Sequence, residues 1–361
     1  MQKGITGTTR IRMNLNEPND LKYQKILKNE YESTFDVPDL PNILVIGVGG
    51  AGNNCIHQLN TKGVPGAKTV AINTDKQQLD LIDANYKILI GKELAHGMGV
   101  GGDPVLGSKC AKASETDIEG LFENVELVFL IAGMGGGTGT GAAPVIADLA
   151  RGLNSTVIGV VTIPFYFEFG RKLRAKRGIR QMAASTHSLL VIDNNRLLGL
   201  VPDLPLDRAF NQINDLITEV VSGITETMTK PSLINLDFAD IKTIMRNGNQ
   251  TLLCYGESDT LDPDEIVRNT LNNPLLNLNF NGANNALIHI TGGPDLSLEL
   301  TDKITKRITK KLNPKANVIL GARINPEFKN EIKLLTIMTG MNEQYSNNHY
   351  YDLNTTGKNL I

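Results

Sequence analysis

Gly135-Gly136-Gly137-Thr138-Gly139-Thr140-Gly141 closely follows the apolar run Leu127-Val128-Phe129-Leu130-Ile131, with three residues between, and leads into Ala142-Ala143-Pro144-Val145-Ile146-Ala147-Asp148-Leu149-Ala150-Arg151, which reads as a helix. An ordered glycine loses roughly 0.5–1 kcal/mol more conformational entropy than alanine, so five in one loop need a reason. Close approach of the backbone to a ligand supplies one, with successive N–H groups aimed at an anion where the helix N-terminus is positive. The stretch reads as a phosphate cradle between a strand and a helix. It is not a P-loop: no G-x-x-x-x-G-K-[ST] occurs in the chain, and no lysine follows the glycines.

Working outward, strand and helix alternate. Apolar runs at 43–48, 69–73, 87–90, 126–132, 156–163 and 188–192 have the continuous character of buried parallel strands, with helical stretches near 53–62, 76–84, 104–123, 138–151 and 172–186. This pattern predicts a doubly wound α/β sheet with right-handed crossovers. Leu216, Ile217, Val220, Val221, Ile224 and Met228 then recur at helical spacing up to Pro231. A second α+β unit follows, with strands near 250–255, 286–291, 316–322 and 332–338 and helices near 262–272 and 298–312. The expected organisation is a partly flexible extension over 1–40, a nucleotide domain over 41–212, a central helix over 213–231, a smaller domain over 232–342 and a flexible tail over 343–361.

Four strands deliver small or polar loops to their carboxyl ends, where open α/β sheets bind ligands. The first runs into Gly47-Val48-Gly49-Gly50-Ala51-Gly52-Asn53-Asn54, a literal G-x-G-x-x-G. The second ends in Ala71-Ile72-Asn73-Thr74-Asp75, and the third leads to His96-Gly97-Met98-Gly99-Val100-Gly101-Gly102-Asp103-Pro104. The cradle follows the fourth. One glycine loop is readily a tight turn; four on one sheet edge are not. The fifth strand leads to Pro164-Phe165-Tyr166-Phe167-Glu168 and Arg171. There a carboxylate can accept ribose hydroxyls and an arginine can sit over phosphate or base, although such a pair is more often simply solvated. The basic residues from Arg171 to Arg180 read as the wet face of a helix.

Bulk properties exclude several classes. The chain has 361 residues and a formal charge of -2, which gives no general attraction to nucleic acid or anionic membranes. Cys55, Cys110 and Cys254 are scattered without a CxxC, and the five histidines are dispersed, so neither a disulfide framework nor a zinc site is expected. No apolar run reaches the roughly 18 residues that span a bilayer, and the N-terminus lacks a signal-peptide core, so a soluble cytoplasmic protein without membrane insertion is expected.

With these loops in place the chain resembles the FtsZ family, the tubulin-like GTPases of prokaryotic cell division. Gly135 to Gly141 matches the family's G-G-G-T-G-T-G signature, and GVGGAGNN, AINTD, HGMGVGGDP, PFYFE and Asn235-Leu236-Asp237-Phe238-Ala239-Asp240 agree in order and spacing over about residues 42–340. The resemblance implies a GTP-binding sheet domain, a central helix and a C-terminal activation domain. It implies that Gly49, Gly50, Ala51, Gly52, Asn53, Asn54, Asp75 and the loop Gly135, Gly136, Gly137, Thr138, Gly139, Thr140 and Gly141 hold the nucleotide. Glu168 and Arg171 match the ribose- and nucleotide-contacting pair, with Arg174 the alternative to Arg171. Asn194 and Asp215 match guanine-reading positions and Phe210 the residue packed against the base. A carboxylate can accept two N–H bonds from guanine N1 and N2, which adenine does not present. Asn235, Asp237 and Asp240 would act on the GTP of a neighbouring subunit, giving GDP, with Mg2+ offsetting phosphate charge. Such a heterologous contact does not close, so the partner implied is a head-to-tail homo-polymer, placed at mid-cell through membrane-tethering division proteins that dock on an unidentified segment, for which the polar N-terminal extension, similar to that of some archaeal members, is the candidate.

The sequence departs from the family pattern in places. His96 stands where many members have arginine, and Asp103 where asparagine is frequent. Arg246-Asn247-Gly248-Asn249-Gln250 replaces a methionine- and glycine-rich stretch, and the usual apolar-basic terminal peptide is not found. Asp103 is expected to add negative charge near the triphosphate. Two other readings stand beside the main one. A tubulin-like paralogue serving cell shape with slow hydrolysis would share the nucleotide loops. An NAD- or FAD-dependent oxidoreductase would use Gly47, Gly49 and Gly52, but does not account for the second cradle.

Overall fold

The computed structural model describes residues 42–200, 203, 205–230, 232–234, 238–246, 251–271 and 282–340. Its first half runs β1 (Ile43–Val48), α1 (Gly49–Lys62), β2 (Ala67–Asn73), β3 (Tyr86–Leu89), α2 (Pro104–Ala113), β4 (Leu127–Gly133), α3 (Thr138–Gly152), β5 (Thr156–Ile163), α4 (Phe169–Ser185) and β6 (Ser188–Asp193). Short helical turns at Lys76–Asp80, Lys92–Ala95, Glu115–Glu119 and Leu197–Leu200 join them. The six strands are parallel, in the order β3-β2-β1-β4-β5-β6. Strand order reverses between β1 and β4, the place where such sheets open a crevice beyond their carboxyl ends.

The central strands β1 and β4 are apolar along their length because both faces are covered. Ile43 and Val45 of β1 join a core shared with Ile56 and Leu59 of α1. Leu44, Ile46 and Val48 join the opposite core, with Cys110, Ile146 and Met182 from α2, α3 and α4.

Several boundaries differ from the sequence reading, each for a local reason. The helix expected over 104–123 breaks at Ser114, whose hydroxyl accepts the Gly91 N–H at 3.0 Å. Helix α1 begins at Gly49 rather than 53, so the glycine loop is itself the first helical turn. Helix α4 begins at Phe169, directly after Glu168.

The long helix α5 (Leu206–Thr229) starts before the 213 read from the sequence, so Phe210 rides on it. Its apolar face (Ile213, Leu216, Ile217, Val220, Val221, Ile224) is buried against the first core. Helix α6 (Phe238–Arg246), not foreseen from the sequence, buries Ile241, Ile244 and Met245. The second unit runs β7 (Thr251–Ser258), α7 (Pro263–Leu271), β8 (Asn285–Gly292), α8 (Leu298–Thr309), β9 (Asn317–Ile324) and β10 (Ile332–Thr339). Its sheet has the order β7-β10-β8-β9, antiparallel except for the β8–β9 pair. One face, with Leu287, Leu335 and Ile337, continues the core around α5, and the other packs on α7 and α8. Helix α8 is capped by Ser297, which accepts the Leu300 N–H at 3.1 Å, and ends at Thr309 rather than 312. The extension 1–40, the tail 343–361, Asn235, Asp237 and Asn247–Gln250 lie outside the described residues.

Candidate functional site

Beyond the carboxyl ends of β1 and β4 lies a cleft of about 1020 Å³. Two helix N-termini point their first turns at it. Neither α1 nor α3 has a side-chain cap or an acidic residue in its first turn, so their leading N–H groups are offered to the cleft. Paired N-termini without carboxylates favour a bound anion. By contrast α2, which starts beside them, is closed by Asp103, whose carboxylate accepts the Val105 N–H at 2.8 Å. Asp103 is therefore a helix cap and does not line the cleft itself, while its backbone abuts the cradle, 2.8 Å from where a Cβ on Gly137 would lie.

The glycines divide by what surrounds them. Gly49 has φ +72°, and a Cβ there would lie 2.9 Å from the Gly139 nitrogen, so the two loops touch backbone to backbone. Gly52 and Gly141 are tight against Ile131 and Pro104 carbonyl oxygens and serve packing. At Gly50 and Gly136 a Cβ would meet nothing within 4 Å, yet both line the cleft. The cradle is braced from within: Thr140 Oγ1 accepts the Gly135 N–H at 2.8 Å, and the Thr138 and Thr74 hydroxyls are 2.7 Å apart.

The wall beyond the cradle carries polar groups. Glu168 Oε1 accepts the Phe165 N–H at 3.1 Å, while its Oε2 takes Arg171 at 2.6 Å, so the pair is held as a unit at the rim. Arg174 does not line the cleft; its Nε donates to the Gly135 carbonyl at 2.9 Å and steadies the cradle from outside. Asn194 lines the cleft, and its Oδ1 is buried without a partner, an acceptor suited to an N–H donor. Neighbouring Asn195 is fully engaged, taking the Tyr166 N–H at 2.6 Å and donating to Pro164 O and Asp193. Phe210, 40% exposed, meets Phe165 edge-on at 5.6 Å and offers an apolar plate.

Asp215 closes this end. Its Oδ1 accepts from Lys62 Nζ at 2.6 Å and from Gln58 Nε2. One residue earlier, Asn214 Oδ1 accepts from the Cys55 thiol at 2.9 Å, and burial pushes that thiol up to about 12, so it stays a donor.

Of the residues expected at the nucleotide, the fold brings Gly49, Gly50, Ala51, Asn54, Gly136, Gly137, Thr138, Gly139, Glu168, Arg171, Asn194, Phe210 and Asp215 to one cleft. Gly52, Asn53, Asp75, Gly135, Thr140 and Gly141 stand behind it. Asn53 is buried, its amide placed to donate to Gly47 O at 2.8 Å and to accept from Asn73. Asp75 caps the Lys76–Asp80 turn through the Gln78 N–H. His96 is an exposed left-handed residue ending the Lys92–Ala95 turn. Gln58, Thr61 and Lys62 also line the cleft and were missed. Their signal was the i, i+4 spacing of Asn54, Gln58 and Lys62 on one face of α1.

Asp240 is elsewhere. Every cleft-lining residue precedes residue 216, and from Phe210 to Thr229 helix α5 runs about 28 Å. Thr229 abuts Gly66, just before β2 starts, at the sheet edge opposite the glycine loops. Asp240 opens α6, which follows that end. Among the described residues no group of three His, Cys, Asp or Glu could hold a metal, and no helix is long and apolar enough to cross a membrane.

A family model described as "Tubulin/FtsZ family, GTPase domain" matches residues 42–202, and one described as "FtsZ family, C-terminal domain" matches residues 250–342. The chain is 47% identical over 302 residues to "Cell division protein FtsZ 2" of Haloferax volcanii, covering 83% of this chain and 76% of that protein. It is 49% identical over 303 residues to "Cell division protein FtsZ 2" of Methanocaldococcus jannaschii, covering 83% and 80%. Among solved structures, "FtsZ dimer, empty" from M. jannaschii superposes with a TM-score of 0.77 at 40% identity, covering 90% of this chain and 92% of that one.

Proposed function

The chain belongs to the tubulin/FtsZ family of GTPases, and on that premise we propose that it is a cell-division GTPase that holds GTP in the cleft and hydrolyses it to GDP between stacked subunits. One observation carries this: the cleft opens at one edge of the sheet, while Asp240 lies past the far end of α5. The phosphates lie against the first turns of α1 and α3, with the Gly50 and Gly136 backbones exposed to them. Glu168 and Arg171 take the ribose. The base stands on Phe210, and Asn194 and Asp215 accept its N–H groups.

Among the described residues no acidic side chain lines the cleft beside the glycine loops, Glu168 and Asp215 standing further along it. In this reading the acid that orients water comes from another molecule. Asp240, with Asp237 and Asn235, supplies it from the opposite pole of the next subunit. Magnesium enters with the phosphates and offsets their charge. The surface favours this stacking. Met98, Phe169 and Leu173 are 85%, 82% and 61% exposed on the loops and helix at the cleft edge, and Leu233 and Ile234 are 74% and 42% exposed just before α6. Apolar residues at both poles fit a head-to-tail contact that extends into a filament. Mid-cell placement through membrane-tethering division proteins completes this reading.

The test is to denature the purified protein, identify the released nucleotide, and sediment refilled protein with GTP or GDP. Guanine nucleotide and GTP-dependent pelleting are expected; NAD or FAD instead would overturn the reading.

A further inference from the structure

Lys62, the last residue of α1, borders two cavities at once. One is the nucleotide cleft. The other, of about 380 Å³, lies between α5 and the C-terminal sheet and is lined by Glu219, Tyr255, Glu257 and Lys333 among others. Asp215 and Glu219 stand one turn apart on the same face of α5, each beside one cavity. The ammonium group now sits 2.6 Å from Asp215, with the two side chains 48% and 34% exposed. Glu219 has its carboxyl raised by burial and by the charges of Glu257 and Asp215, against the opposing pull of Lys62 and Lys333. Glu257 is already served by Lys333 at 2.6 Å and by the Tyr255 hydroxyl. Glu219 is thus the carboxylate short of a cation, and Lys62 is within one turn of it.

A guanine that donates N1–H and N2–H to a carboxylate uses both of its oxygens. Asp215 Oδ1 already serves Gln58 and Lys62, so the base and the ammonium compete for it. The step from Asp215 to Glu219 rises only about 6 Å along the helix, within the sweep of a four-carbon lysine stem. We propose that Lys62 reports the guanine base to the C-terminal domain: with the pocket empty it holds Asp215, and when the base takes that carboxylate it pairs with Glu219. This rests on the reading of Asp215 as the guanine acceptor. Lys62 is then a positioning residue, and the second cavity is neutralised only when the first is filled.

The experiment uses the full chain, kept dilute enough not to assemble, and titrates it with a fluorescent GTP analogue. Glu219→Gln weakens binding about fivefold in the parent background, the size of one partly exposed ion pair. In a Lys62→Met background the same change has less than about a 1.5-fold effect, and Lys62→Arg restores the parent pattern. Equal weakening in both backgrounds, or none in either, overturns the relay. Asp215→Ala is measured separately with GTP and ATP. If it keeps the parent's preference for GTP, the guanine reading has failed; if it loses that preference while the cycle is additive, only the relay has failed.

Discussion

A methyl group added at Gly136 would meet no protein atom, whereas one added at Gly141 would lie 2.0 Å from the Pro104 carbonyl oxygen. The same residue type in one heptapeptide therefore serves two ends, and substitution separates them. Gly136→Ala leaves the urea midpoint near the parent value, because nothing in the fold is displaced. It weakens GTP binding roughly tenfold or more, since the methyl group obstructs a backbone N–H to phosphate bond worth about 1.5–3 kcal/mol. Gly141→Ala costs about 2–3 kcal/mol of stability as α3 and α2 are forced apart. Paired urea melts and nucleotide titrations check both; a Gly136→Ala protein binding as tightly as the parent would remove the phosphates from this loop. The sequence made the cradle legible because five glycines beside an apolar strand have few other uses. It could not say which glycines face the ligand and which face protein. Likewise the sequence could not say that the Asp103 carboxylate caps α2 through the Val105 N–H.

The elements that were legible are those whose pattern repeats. The buried parallel strands, α3 and the apolar stripe of α5 carry period and length enough to be read. Helix α6 escaped, being short, and the break at Ser114 depends on a distant Gly91 N–H that no local pattern records. Nor is the contact of α5 with the second sheet visible in either segment alone. Thr227 on α5 donates its hydroxyl to Gly223 O at 2.7 Å, so its oxygen accepts from His289 Nδ1–H at 3.2 Å. His289 is 3% exposed, and burial, aided by Arg323, holds its imidazole down to about 4 against the opposing pull of Glu226. The unfolded chain takes up this proton near pH 6.5 and the folded chain only near 4. Stability from the neutral ring is therefore full above pH 6.5 and is lost as pH falls from there toward 4. Between pH 7.5 and 5.0 the parent should lose about 2 kcal/mol more than His289→Asn, which keeps a donor toward Thr227 but does not titrate. Urea melts at the two pH values measure the difference, and parallel losses would show that His289 is not buried as a neutral ring.

At the scale of the whole molecule, the proposed function puts substrate cleft and acidic trigger at opposite ends of one helix, so that a solitary subunit would have each half of the chemistry and complete neither. Turnover per molecule should then rise with protein concentration, being near zero at dilutions where nothing pellets and constant once filaments dominate. Asp240→Ala should bind GTP and sediment like the parent while losing at least a hundredfold in turnover, since water at the γ-phosphate is no longer oriented. Gly136→Asp, with a carboxylate among the phosphate-binding N–H groups, should fail to bind GTP while keeping its own Asp240 intact. Each protein alone is inactive, but a mixture rebuilds a working interface whenever the intact cleft of the first meets the intact pole of the second. Random stacking of equal amounts places such a pair at about a quarter of the interfaces, so turnover should recover to roughly that fraction of the parent's. A residue acting within its own subunit cannot be supplied from outside, because every chain in the mixture would still lack one half. Phosphate release from the mixture against each variant alone decides between them: no recovery at any ratio would return Asp240 to its own subunit and leave the stacked arrangement without its chemical purpose.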